Sequence, residues 1–201
     1  MINAQVYLLQ FVPADSVVLI IGGGTGWILE ELTKVHPSGL QVIYVEVAAD
    51  MMALSRRRNT GLNSIVFIND AIEDIDIAEK VDVVITPFLF DNFTEATLQK
   101  VFNHIHQLLK PGATWLNADF QLTGKWWQSV LLKSMFLFFR TLLSIEASSL
   151  PDVEKQFELT GYKLIDERAF YGDFIISSVY KSSLNSSITS TGGTLQGQKK
   201  H

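Results

Sequence analysis

Apolar and polar positions change period along this chain. The runs Val17-Val18-Leu19-Ile20-Ile21 and Val42-Ile43-Tyr44-Val45 are continuously apolar. An unbroken short run of this kind predicts a strand buried on both faces, as in a parallel sheet. By the same reading strands lie at 41–46, 64–69, 81–86 and 113–118. Between them the period lengthens to that of helices, at about 4–11, from Trp27, at about 49–58 and at about 94–109. The last of these ends at Lys110-Pro111-Gly112, a helix stop signal. Strands alternating with helices imply a mostly parallel sheet with helices on both faces and right-handed crossovers.

The last third has a different pattern. Residues 126–145 form a long helical candidate, and Pro151 opens a shorter one to about Leu159. Two strand-like runs, 162–170 and 174–181, are separated by little more than Gly172-Asp173 and read as an antiparallel hairpin. From 182 to 201 the chain is rich in Ser, Thr, Gly, Gln and Lys, a composition that predicts a disordered tail. The expectation is therefore one domain over 1–181, with 121–160 as a helical addition on the substrate side.

Composition narrows the function. With 201 residues and 47% apolar content the chain has room for one sizeable core. A net charge of −5 gives no basic face for bulk nucleic acid. No cysteine is present, which excludes disulfides, a thiolate nucleophile and cysteine-based metal sites. No His/Asp/Glu grouping has metal-ligand spacing, so no metal is expected. The N-terminus lacks the basic-then-apolar pattern of a signal peptide, so a cytoplasmic location is the expectation.

The first strand runs directly into Gly22-Gly23-Gly24-Thr25-Gly26 and then a helix. A glycine turn before a helix start lets a ligand approach bare backbone and free N–H groups. The spacing is G-x-G-x-G; a dinucleotide fingerprint wants its third glycine at position 27, where this chain has Trp27. Strand two ends in Glu46, at the tip that faces the same crevice, where a carboxylate can accept two hydrogen bonds from a ribose diol.

Four segments in order, from about 17 to 118, resemble the class I S-adenosylmethionine-dependent methyltransferases. They are the glycine loop, Glu46-Val47-Ala48-Ala49-Asp50-Met51-Met52, Asn69-Asp70-Ala71, and Leu108-Leu109-Lys110-Pro111-Gly112. The resemblance implies a Rossmann-like three-layer α/β sandwich with a mostly parallel seven-stranded sheet and an antiparallel C-terminal strand. It implies S-adenosyl-L-methionine as cofactor. Gly22, Gly23, Gly24 and Gly26 would approach its methionine part, and Glu46 its ribose. Val47 and Met51 would flank the adenine, with Asp70 and Ala71 meeting the adenine edge and Thr86 near the bound cofactor. Two positions depart from the family pattern: Ile20 stands where many members have an acidic residue, and Ala48 replaces the usual serine.

The reacting end should lie beyond strands four and five. Asp91 is a candidate base or substrate anchor, the alternative being a cap for the helix opening near Thr94. Asp119 is a second candidate, the alternative being a surface carboxylate. Phe88, Phe90, Trp126 and Trp127 are candidate acceptor contacts. His104 and His106, inside the fourth helix, read as structural. Thr86-Pro87-Phe88 lacks the Asn/Asp-Pro-Pro-Tyr pattern of amide- and adenine-methylating enzymes. Helix 126–145 collects Ser129, Lys133, Arg140 and Ser144 on one face and apolar side chains on the other. It can pack on the sheet, wall a pocket for a lipophilic acceptor, or lie peripherally on a membrane surface. The function expected is methyl transfer to a small apolar or aromatic molecule. A nicotinamide-dependent oxidoreductase and a non-catalytic binding domain are the alternatives.

Overall fold

The computed structural model describes residues 1–132 and 150–182. Seven strands form one sheet: β1 (Val17–Ile21), β2 (Ser38–Val45), β3 (Leu62–Ile68), β4 (Val81–Pro87), β5 (Leu109–Phe120), β6 (Tyr162–Phe170) and β7 (Ile175–Ser182). Their order is β3-β2-β1-β4-β5-β7-β6. The first five are parallel, and β7 inserts antiparallel between β5 and β6. The expected Rossmann-like sandwich, with its antiparallel C-terminal strand, is the architecture observed.

Strand alternation builds both cores. Val18 and Ile20 face one side, where α1 (Ile2–Leu9), α2 (Trp27–Val35) and α3 (Ala49–Ser55) contribute Leu8, Leu9, Ile28, Leu32 and Met52. Val17, Leu19 and Ile21 face the other, against α4 (Glu95–Leu108) and α6 (Val153–Leu159). Helix α5 is described over 126–132. The rest of candidate helix 126–145 and the predicted tail beyond Ser182 lie outside the described residues.

The second core is aromatic. Phe102 of α4 stacks on Trp115 of β5 at 4.4 Å between ring centroids and meets Phe157 of α6 edge-on at 4.8 Å. Under this cluster a buried chain of hydrogen bonds runs from Trp115 Nε1 to Thr86 Oγ1 (2.9 Å), and from that hydroxyl to Asn117 Oδ1 (2.8 Å).

Several boundaries differ from the pattern-based reading. β5 starts at Leu109, where α4 ends, rather than at 113. Its register with β4 slips between Leu109 opposite Val81 and Thr114 opposite Val83. Pro111 lies in the slipped segment, and having no N–H it cannot continue the ladder. β2 begins three residues early, at Ser38, again across a register shift. α3 ends at Ser55, three residues before Arg58, and β7 takes in Ser182. α1 packs on the sheet: Ser177 Oγ of β7 donates to Ala4 O at 2.9 Å, and Tyr7 OH donates to Asp166 Oδ1 at 2.6 Å.

Phe102 is fully buried and touches Phe90, Trp115, Phe157 and Tyr162. Phe102→Ala should destabilise the domain by about 3–5 kcal/mol, read as a lowered urea midpoint with an unchanged slope.

Candidate active site

A cavity of about 920 Å³ opens at the C-terminal ends of β1, β2 and β4. Parallel α/β sheets place ligands there because strand order reverses between β1 and β4, and the loops diverge. Its floor is the glycine loop. Gly24 N donates to Glu46 Oε2, and Ala48 N donates to Glu46 Oε1, both at 2.9 Å. Glu46 is thereby fixed in a buried position, each oxygen keeping a lone pair for a ligand.

The loop is braced from outside. Tyr44 lies beneath it and its OH donates to Gly24 O at 2.9 Å. A side chain at Gly23 would sit 2.5 Å from the Tyr44 ring, so only glycine fits over it. Gly26, at φ +76°, comes so close to α3 that a Cβ would meet the Ser55 Cα at 2.7 Å. Arg58 Nε donates to Thr25 O at 2.9 Å, and its guanidinium pairs with Glu30 at 3.4 Å. The cation therefore holds the loop from beyond the end of α3.

One wall carries Val47, Met51, Asp70 and Ala71. Val47 is 69% exposed, an apolar side chain left uncovered at the cavity. Asn69 Nδ2 donates to the backbone carbonyls of Glu46 (2.7 Å) and Val47 (3.0 Å), tying β3 to this wall. Asp70 is exposed at the rim, with Oδ1 accepting from Ala71 N at 2.9 Å.

The opposite wall carries Phe88, Leu89, Asp91 and Phe120. Phe88 adopts φ +56°, a conformation that costs a β-carbon-bearing residue about 1–3 kcal/mol and must be held by its surroundings. Phe88 N donates to Ala118 O at 2.7 Å, and its ring lies 5.0 Å from that of Phe120. Asp91 sits in a 3-10 turn, Phe90–Asn92, and is buried; Thr94, not Asp91, caps α4 by accepting from Thr97 N. Asp119 is buried as well, so it is not a surface carboxylate. Its Oδ1 accepts from Phe120 N, whereas its Oδ2 accepts no hydrogen bond. Burial pushes both carboxyls up, and the charge of Asp119 adds to the rise at Asp91. Such a pair holds a proton near neutral pH and can accept or release one.

Residues 18–112 match the family model described as a methyltransferase domain. A malonyl-[acyl-carrier protein] O-methyltransferase of Bacillus cereus is 29% identical over 90 residues; the match covers 44% of this chain and 33%, a third, of that relative's length. The fold is similar to that of the N-methyltransferase NodS of Bradyrhizobium japonicum, with TM-score 0.65, 12% identity, and 90% of this chain and 93% of that one covered. It is also similar to magnesium protoporphyrin IX methyltransferase of Synechocystis, solved with bound S-adenosylmethionine (TM-score 0.63, 13% identity, 90% and 77% covered). Residues 18–112 are thus similar to a methyltransferase domain, on a fold shared with the class I methyltransferases. The cofactor that such a domain uses is S-adenosyl-L-methionine.

The cavity brings together Gly22, Gly24, Glu46, Val47, Met51, Asp70, Ala71, Phe88 and Asp91, whereas Asp119 is not among the residues that line it. Other candidate residues lie elsewhere. Thr86 is fully buried with its hydroxyl shared between Trp115 and Asn117, and it is not among the cavity residues. Phe90 is in the aromatic core. Trp126 is 79% exposed, and Trp127 packs edge-on against Phe174 at 5.6 Å; neither lines the cavity. Ile20 is fully buried among the α1 and α2 side chains, so its position carries no polar group toward a ligand. His104 and His106 are structural: His104 Nε2 lies 3.0 Å from Ile75 O, and His106 Nδ1 lies 2.8 Å from Tyr162 OH. Tyr44 and Arg58 were not legible as loop braces. Tyr44 reads as one more apolar strand position, and Arg58 as one of three cations at a helix end. Among the described residues no helix is long and apolar enough to cross a membrane.

The raised carboxyl of Asp119, up to about 7, fixes the sign of a pH effect. Below pH 4 the group is neutral in both folded and unfolded chains and contributes nothing. Between pH 4 and 7 the unfolded chain loses this proton while the folded one keeps it, so stability falls as pH rises. Asp119→Asn should flatten that slope, so that the variant gains on the parent chain by on the order of 4 kcal/mol between pH 4 and pH 8, measured by urea unfolding at both pH values.

Proposed function

We propose that the protein binds S-adenosyl-L-methionine in the 920 Å³ cavity and transfers its methyl group to a small molecule with an apolar or aromatic body. The observation that carries this reading is the fixed Glu46 carboxylate. It stands between the glycine loop and Ala48, so a ribose diol placed there meets two oxygens already oriented. On this reading Val47 and Met51 cover the adenine faces, Asp70 and Ala71 meet its edge, and the loop from Gly22 to Gly24 faces the methionine part.

Methyl transfer from a sulfonium is an in-line displacement. The attacking lone pair forms a bond to the methyl carbon as the carbon–sulfur bond breaks, its electrons going to sulfur. Positioning supplies much of the acceleration, and a base is required when the attacking atom carries a proton. Asp91, which lines the cavity, would take that proton, with the charge of Asp119 behind it raising its affinity for one. Phe88 and Phe120, with Leu89 and Phe93, give this end of the cavity the apolar lining that an apolar acceptor requires.

Calorimetry tests the assignment. S-adenosylmethionine and S-adenosylhomocysteine should bind at one site per chain and NAD should give no heat. Glu46→Ala should weaken S-adenosylhomocysteine at least 30-fold, the loss of two charge-assisted hydrogen bonds worth about 2 kcal/mol or more together. Equal affinity in the variant would remove Glu46 from the ribose, and binding of NAD alone would replace this reading with a dehydrogenase.

A further inference from the structure

The two outer strands of the sheet, β3 and β6, are finished differently. β6 carries Lys163, Asp166, Glu167 and Arg168, and its register with β7 shifts between Leu164 and Asp166. Charges and an irregular register keep an edge strand from pairing with another chain. β3 reads Leu-Asn-Ser-Ile-Val-Phe-Ile, with neither charge nor proline. Helices follow β1, β2 and β4, but β3 is followed only by a 3-10 turn, Ile72–Asp74. Ile65 and Phe67 pack on the α2 and α3 side, and Ile68 on the α4 side. Leu62, Ser64 and Val66 share the Ile68 face by alternation, and there Leu62 is 86% and Val66 55% exposed.

The backbone groups of this edge can be assigned one by one. Leu62 N donates to Pro37 O at 2.8 Å, and Ile68 O accepts from Glu46 N at 3.1 Å. Even-numbered residues of β3 therefore bond toward β2, and alternation turns the N–H and C=O of Asn63, Ile65 and Phe67 outward. Two of these outward groups are occupied. Asn63 N donates to Thr60 O at 3.2 Å. Phe67 O accepts from Arg56 Nη2 at 3.4 Å, with the guanidinium 5.2 Å from the centre of the Phe67 ring. Ile65 N, Ile65 O, Asn63 O and Phe67 N have no partner among the described residues. Antiparallel pairing about a two-fold axis at Ile65 sets Ile65 opposite Ile65 and Asn63 opposite Phe67. Ile65 N of each copy then meets Ile65 O of the other, and Phe67 N meets Asn63 O. Every free donor finds a free acceptor, while the two occupied groups, Asn63 N and Phe67 O, face each other. Val66 falls opposite Ser64, and Leu62 opposite Ile68, so no charge is set against another.

We infer that β3 pairs antiparallel with β3 of a second copy of this chain, about a two-fold axis at Ile65, and so continues the sheet across a dimer. The charged edge at β6 stops the assembly at two copies. The parallel strands of the two copies point in opposite directions, so the cavities at their C-terminal ends open on opposite sides of the joined sheet. The contact does not depend on what those cavities bind. A strand of seven residues a side is a small interface, so the dimer should be weak, with a Kd on the order of 10–100 µM.

Sedimentation equilibrium of the full chain, from about 1 to about 500 µM in about 0.15 M salt, should show monomer passing to dimer and nothing larger. Val66→Lys should weaken the dimer at least tenfold, because it sets a cation in each half of the contact. Val66 is exposed, so this variant keeps its fold and the test stays readable should another fail. Ile65→Pro removes the central N–H, which takes no part in the ladder with β2, and should weaken the dimer as much. Leu164→Lys on the β6 edge should change nothing. Amide exchange followed by NMR should slow at Ile65 and Phe67 as concentration rises, while Ser64 and Val66, bonded to β2, exchange slowly throughout. A monomer up to about 500 µM, species larger than a dimer, or a dimer indifferent to both β3 substitutions overturns the inference. Slow exchange at Ile65 that does not change with concentration also overturns it, since another segment of the same chain then covers the edge.

Discussion

The carboxylate of Glu46 is the point on which the site depends. It ties the glycine loop after β1 to the turn after β2 through N–H groups on both sides, Gly24 and Ala48. Neither segment has another reason to stop where it does. The loop folds back over Tyr44, two residues before Glu46 on the same strand, whose OH bonds Gly24 O, while Arg58 holds Thr25 from the other side. One strand thus supplies the cavity-facing carboxylate and the support for the loop it binds. Hydrogen bonds to a charged group contribute about 1.5–3 kcal/mol each, enough to hold a glycine-rich segment that would otherwise lose more backbone entropy than any other on folding.

The glycines here serve packing as much as access. Gly26 lets α2 begin in contact with the Ser55 backbone, and Gly23 accepts the Tyr44 ring at a distance no side chain would tolerate. Trp27, which rules out dinucleotide spacing, sits one residue beyond that contact. The loop is therefore closed by α3 and Arg58 from behind and open only toward the cavity.

Sheet, layers and the wall of the cavity that holds Glu46 and Asp70 were legible in the sequence because they follow from continuous apolar runs and from the residues at strand tips. Glu46 and Asp70 each end or follow a strand, and strand ends are where parity and position are both known. The opposite wall was legible only in part, and Phe88 shows why. Alternation along β4 places Val84 and Thr86 on the α4 face, and would place residue 88 there too. Instead the chain takes positive φ at Phe88, alternation breaks, and the ring lands with Phe120 on the other side. Nothing in a phenylalanine codon announces that conformation. The same break turns Phe90 inward to the aromatic core and leaves Asp91 at the cavity. Trp126 looked like a pocket residue because large aromatics line pockets, but α5 directs it to solvent.

The two ends of the sheet treat the same side chain in opposite ways. At the N-terminal edge, Asp82 accepts from Val17 N at 3.0 Å and pairs with Lys110 at 2.9 Å. Burial raises its carboxyl, but these two partners outweigh burial and hold it below the usual range. That is a carboxylate solved for stability. At the C-terminal edge, Asp91 and Asp119 are more deeply buried, raised rather than lowered, adjacent to each other, and without a cation. Beside them Phe88 keeps a strained backbone. A fold optimised only for stability would replace all three with apolar residues of ordinary conformation, as the interior of β4 and β5 already does at Val84, Ile85 and Leu116. Their concentration at one end of two neighbouring strands, beside the cavity, separates the part of this sheet arranged for stability from a part that is not.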